Sequence, residues 1–152
     1  MKIKELFENT AHQKYYHGSY IKLEIGTVLK GRNEKYERDW NNTDFYNILE
    51  FYRPKDKISH KQAVFMVHDE DDIDLAGGAT DWIFVLQPLG TVSKHAMNWA
   101  SEISALISDG YEFDSAEVYN AALNYWNGTP HTNESVWEYL TKEARIIDVY
   151  EY

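Results

Sequence analysis

Tyr15-Tyr16-His17-Gly18-Ser19-Tyr20 is the stretch on which the reading of this chain turns. Its aromatic residues suit a β-strand, yet a histidine and a glycine interrupt it. A glycine inside a strand pattern marks a point where another group approaches the backbone closely. A flat ring carrying an amide is one such group, since it can pair with the N–H and C=O of Gly18 where no side chain intervenes. His17 would then project to the opposite face of the strand and could hold a second part of the same ligand through one ring nitrogen. A core histidine beside a β-bulge is the other reading, and the hexapeptide alone leaves both open.

The rest of the chain bounds the choice. With 152 residues it is read as one domain, 1–152, able to bury on the order of two-thirds of its unfolded surface. No apolar run approaches the ~20 residues of a membrane span. The opening Met1-Lys2-Ile3-Lys4-Glu5-Leu6-Phe7-Glu8 lacks the apolar core of a secretory signal, so the expected location is cytoplasmic. The absence of cysteine excludes a disulfide framework, a zinc–thiolate site and a cysteine nucleophile. A net charge of −10 disfavours a nonspecific grip on nucleic-acid phosphates, although Lys30, Arg32, Lys35 and Arg38 form a local basic cluster. The same acidity suits electrostatic steering toward a basic partner. Twelve tyrosines and 5 tryptophans exceed what a core of this size requires, which points some rings at a ligand or partner.

Periodicity supplies a sketch of the elements. An amphipathic helix or arm is predicted over 1–13, a strand over 15–20, and a turn at Gly26 before a short extended piece. Residues 31–42 read as a polar loop. Phe45, Ile48, Leu49 and Tyr52 recur at helical spacing, with Thr43 or Asp44 as cap and Arg53-Pro54 as stop. A strand is predicted at 63–67. The acid run His68-Asp69-Glu70-Asp71-Asp72-Ile73-Asp74 lacks the positions of a calcium loop and is read as capping a short helix that Gly77-Gly78 ends. A strand at 82–87 halts at Pro88. Trp99, Ala100, Ile103, Leu106 and Ile107 make one helical stripe, closed by Gly110. Val118, Ala121, Ala122, Tyr125 and Trp126 make another, opened by Asp114-x-x-Glu117 in the manner of a capping box and closed by Gly128. Two strands, 136–140 and 144–150, complete an α+β domain without strict βαβ alternation. His12, His60, His68, His95 and His131 show no metal spacing.

Three segments in order, Tyr16-His17-Gly18-Ser19, Ala63-Val64-Phe65-Met66-Val67 and Trp137-Glu138-Tyr139-Leu140, resemble the three motifs of the NAD-dependent ADP-ribosyltransferases of the His-Tyr-Glu type. Gly26 and Leu29 match the Gly-x-x-Leu that follows the family's His-Gly-Ser/Thr. Phe84-Val85-Leu86-Gln87-Pro88-Leu89-Gly90 resembles the strand and Pro-x-Gly segment of small bacterial members, including the rifamycin-modifying enzymes. The resemblance spans most of the chain. It implies two small, packed, mostly antiparallel β-sheets with flanking helices, and transfer of ADP-ribose from NAD, a consumed co-substrate, to an acceptor.

By that resemblance His17 bonds the adenosine-side ribose or diphosphate, Gly18 the carboxamide, and Ser19 adds a hydroxyl. Glu138 is the implied catalytic carboxylate, with Glu134 as fallback. Cleaving nicotinamide from ribose builds positive charge on the sugar carbon, which a fixed carboxylate stabilises. Phe65 stands where the family has a tyrosine: its ring can stack on nicotinamide but supplies no hydroxyl. Core packing for Phe65 and an exposed strand position for Glu138 are the alternatives. Val136, two residues before Glu138, stands where arginine-modifying members carry a second glutamate, so arginine is not the expected acceptor. The missing tyrosine and the charge also fit another class, a catalytically idle member of the fold that, like small phage inhibitors, occupies a host protein by surface complementarity.

Overall fold

The structure, a computed structural model, describes residues 13–31, 44–75 and 79–152. The expected N-terminal arm, except its last residue, the 32–42 loop with most of its basic cluster, and the Gly77-Gly78 stop lie outside the described residues. In chain order the elements are β1 (Tyr15–Ser19), β2 (Val28–Lys30), α1 (Asp44–Phe51), a 3₁₀ turn (His60–Gln62), β3 (Val64–Met66) and α2 (Asp72–Leu75). They continue with β4 (Trp82–Pro88), β5 (Ser93–Ala96), α3 (Asn98–Ser108), α4 (Ala116–Trp126), β6 (Trp137–Thr141) and β7 (Glu143–Glu151). One sheet runs β1-β4-β7-β2 and the other β3-β6-β5, with every described pairing antiparallel. The expected α+β class with two antiparallel sheets is therefore observed. No helix among the described residues is long and apolar enough to cross a membrane.

Strand alternation sets the layers. Val64 and Met66 point from β3 to one side, where they meet Phe84, Leu86, Ala144 and Ile146 of the larger sheet. Leu140 of β6 and the half-buried Phe65 of β3 point to the other side, into a core built by α1, α3 and α4. The small sheet is thus sandwiched between the larger sheet and the helices. Trp126, fully buried, ties α4 to α1 by donating its indole N–H to the Leu49 carbonyl at 2.8 Å. The two sheets also meet at an edge, where Tyr16 of β1 and Val67 just beyond β3 exchange both main-chain hydrogen bonds.

Three local expectations change. The cap of α4 is Ser115, whose hydroxyl accepts from the Val118 N–H at 3.3 Å, one residue later than the Asp114 box. Pro88 ends β4 from inside, paired with Ala144, which its missing N–H permits because β1 pairs only as far as Leu86. Strand β5 was not expected: Ser93-Lys94-His95-Ala96 has no apolar alternation, since its buried members are a histidine and an alanine.

Gly18 needs its bare Cα for a reason internal to the fold. A Cβ there would lie 1.7 Å from the Ala79 carbonyl oxygen and 2.7 Å from Ile73 Cγ2. The close approach expected at this glycine is made by the chain's own backbone. Gly18→Ala is expected to lower stability by on the order of 3 kcal/mol, read as a shift in the urea midpoint; an unchanged midpoint would show that the 79–80 segment yields freely.

Candidate functional site

The residues implied by resemblance divide between the two faces of the small sheet. His17, on the Tyr15 face of β1, reaches β3 and donates its Nδ1–H to the Phe65 carbonyl at 2.7 Å, because a carbonyl can only accept. Its ring stacks at 6.1 Å on Phe84, the residue opposite it on β4, beside a register irregularity between Val85 and Leu86. Ser19 spends its hydroxyl locally, donating to the Ile21 carbonyl at 2.8 Å and accepting from the Ile21 N–H at 3.2 Å. Gly18 is buried beneath Ala79. The Phe65 ring faces the helices and stacks on His60, with centroids 5.6 Å apart.

Glu138 is neither exposed nor turned toward His17. It is 1 % exposed and faces α4, where the Tyr125 hydroxyl meets its Oε1. The imidazole, main chain, ring and acid expected to converge on one dinucleotide are not brought together on one face. His17 meets the main chain of Phe65, while the Phe65 ring and the Glu138 carboxylate lie on the far face of the same sheet. The period-two alternation of strands causes this separation.

The cluster that does assemble is buried and polar. His95 sits opposite Glu138 in the β5–β6 ladder, and its ring stacks on that of Tyr125 at 4.7 Å. One His95 nitrogen, Nδ1, donates to the Tyr125 carbonyl at 2.8 Å, which leaves Nε2 to accept from the Ser93 hydroxyl at 2.8 Å. The Tyr125 hydroxyl also lies 2.7 Å from His60 Nε2. Behind His60 stands Glu50 of α1, whose carboxylate accepts from the His60 main-chain N–H at 2.7 Å and the Ser59 hydroxyl at 2.8 Å. Arg53 Nε completes this end at 3.4 Å from the same carboxylate.

Two proton orders satisfy the chain. With Glu138 ionised, His60 Nε2–H donates to Tyr125, which donates to Glu138. With Glu138 protonated, the direction reverses: its O–H donates to Tyr125, Tyr125 donates to His60 Nε2, and His60 Nδ1–H faces Glu50 Oε1 at 3.5 Å. The second order turns an N–H rather than a lone pair of His60 Nδ1 toward the Glu50 carboxylate, with which it makes no hydrogen bond. Burial favours it too, pushing the Glu138 carboxyl up to about 7 against the lesser opposing effect of the Tyr125 hydrogen bond. Burial pushes His60 down to about 3 and His95 down to about 4, so both imidazoles are neutral near pH 7. Among the described residues no group of three histidine or acidic side chains is placed to hold a metal ion.

No protein-family model matches this sequence, and no curated relative matches it.

Sequence reasoning missed His60, His95 and Tyr125 as a set. One signal was available: a tyrosine in an apolar helical stripe carries a hydroxyl that needs a partner once buried. Nothing in the spacing pointed to Glu138 as that partner.

The pH dependence follows from the shifts. Between pH 4.5 and about 7 the folded protein keeps a Glu138 proton that the unfolded chain has lost, so this carboxyl makes stability fall as pH rises through that window. His60 and His95 act oppositely: the unfolded chain binds their protons below 6.5 and the folded chain does not, so stability is lost as pH falls toward 4 and 3. Glu138→Gln, which cannot ionise, is expected to gain on the wild type from pH 4.5 to 7 by on the order of 3 kcal/mol, at about 1.4 kcal/mol per pK unit, and to hold that gain above. A stability difference independent of pH would refute the buried neutral carboxyl. Tyr125→Phe should cost about 3 kcal/mol in urea denaturation, because it strands both His60 Nε2 and Glu138 without partners.

Proposed function

We propose that this chain is an acidic, ADP-ribosyltransferase-like domain that acts by occupying a macromolecular partner of complementary charge, without transferring ADP-ribose. The observation that carries this reading is the place of Glu138. An acid meant to stabilise a developing oxocarbenium ion must reach the sugar, whereas this one is held in the core by Tyr125. The packing of Ala79 on Gly18 and of the Phe65 ring on His60 supports it, since both are occupied by the protein's own groups. The net charge of −10 favours a basic partner.

A second reading, NAD-dependent transfer of ADP-ribose to a non-arginine acceptor, is favoured by one observation. The strands bearing the three motif segments are neighbours, with His17 of β1 on the main chain of β3 and β3 paired with β6. On that reading Glu138 has to leave Tyr125 to meet a ribose.

Calorimetric titration with NAD, paired with an assay for released nicotinamide, separates the two. The expected result is no binding heat and no release above buffer. Nicotinamide release that falls on the order of 10²-fold in Glu138→Gln would overturn the partner-binding reading and establish the enzyme.

A further inference from the structure

The helical layer carries an aromatic ledge of three exposed rings joined through a fourth, Tyr52, that packs against the core. Phe51 at the end of α1 is 67 % exposed, Phe113 in the α3–α4 turn 46 % and Tyr119 on α4 44 %. Tyr52 lies among them: its ring makes edge contacts with Phe51 at 5.0 Å and Tyr119 at 5.1 Å, and Phe113 meets Phe51 at 5.3 Å. Single exposed rings are ordinary on a protein surface, but three exposed rings held together by a half-buried fourth form a patch that marks an interaction site. The patch is also held in shape, because the Tyr52 hydroxyl donates to the Phe113 carbonyl at 3.0 Å. It is therefore presented ready-made, with little ordering cost on binding.

Charge decides what fits it. From His95 to Thr141 the sequence contains no lysine or arginine, while Glu102, Asp109, Glu112, Asp114, Glu117 and Glu134 lie in that span in addition to the buried Glu138. Glu112 and Asp114 flank Phe113, Glu117 lies two residues before Tyr119, and all three are exposed. Beyond the end of α1, Arg53 is engaged by Glu50 and by the Lys57 carbonyl at 2.7 Å, which leaves Lys55 and Lys57 as the cations nearest in sequence. Such a border repels phosphates and, by like charge, a second copy of this chain. It attracts a cation that can also lie flat on a ring. A guanidinium does both, stacking on aromatic faces and forking to carboxylates, which an ammonium does less well.

We propose that Phe51, Tyr52, Phe113 and Tyr119, bordered by Glu112, Asp114 and Glu117, form the docking surface for an arginine-bearing segment of a partner protein. The proposal rests on the partner-binding reading and names its surface and the chemistry that it recognises. Arginine planes lie against the exposed rings, their charge meets the acidic border, and aliphatic neighbours cover the remaining aromatic area.

Fluorescence anisotropy of a short dye-labelled peptide of alternating arginine and leucine tests it, against versions with lysine or glutamate replacing arginine. Binding by the intact chain is expected to weaken about tenfold with lysine, to vanish with glutamate and to fall with added salt. Phe51→Ser combined with Phe113→Ser should weaken it at least about tenfold. Asp114→Asn combined with Glu117→Gln should weaken it and flatten its salt dependence, in a background that keeps the Ser115 cap. Circular dichroism verifies that both variants remain folded, and both alter exposed side chains only. Absence of binding at low salt, or binding unchanged in both variants, overturns the proposal. Self-association that the ring substitutions abolish also overturns it, since the occupant is then a second copy. The two readings fail separately. Glu138-dependent nicotinamide release removes the parent reading whatever the peptide does, whereas a silent nicotinamide assay with no peptide binding overturns the surface alone.

Discussion

The hydroxyl of Tyr125 is the point from which the helical half of this molecule is organised. It lies between His60 of the 3₁₀ turn and Glu138 of β6, so one side chain of α4 fixes the turn that leads into β3 and the strand that pairs with β3. A hydrogen bond made away from water is directional and costly to break, and apolar packing is neither. The surrounding rings of Phe65, His95 and Trp126 supply the packing around this group. The polar chain sets the register in which α4 docks, and it continues through His60 to Glu50 on α1, so both helices and the turn between α1 and β3 answer to the same few atoms.

A buried carboxylic acid whose neutral form is favoured has consequences for how the residue is read. Aiming Glu138 at a sugar would require it to be ionised and accessible. As placed, it is an internal hydrogen-bonding group, and its proton and the His60 tautomer are set together. The same carboxyl can therefore resemble a catalytic residue in the sequence while serving as a strut in the fold. His17 differs: it sits where the two sheets meet, and its bond to the Phe65 carbonyl couples β1 to β3 beside the Tyr16–Val67 bridge.

Much of the architecture was legible in the sequence because it rests on strong periodicities. The apolar stripes of Ile103 and Leu106 and of Val118, Ala121 and Tyr125 gave α3 and α4, and Gly110 and Gly128 ended them with positive φ. The Arg53-Pro54 stop was equally plain, as was a strand within 63–67, observed as Val64–Met66. Strand β5 was not, since its core-facing residue is a histidine that only the Tyr125 carbonyl and Ser93 make tolerable in the interior. The candidate site was legible only as strands. Side-chain direction depends on register, and register decided that Phe65 and Glu138 turn toward the helices while His17 turns toward the space between the sheets. The occupant of the Gly18 face, Ala79, lies far along the chain, and no local pattern could announce it.

The uneven distribution of charge along the chain has its own consequence. The lysines and arginines in the described residues sit on the strands and turns on either side of the 95–141 segment, and that segment, which builds α3 and α4, carries only acids. A molecule with such sidedness has an electric moment as well as a net charge. Approaching a cationic surface, it would experience a torque before contact that turns the α3–α4 segment forward.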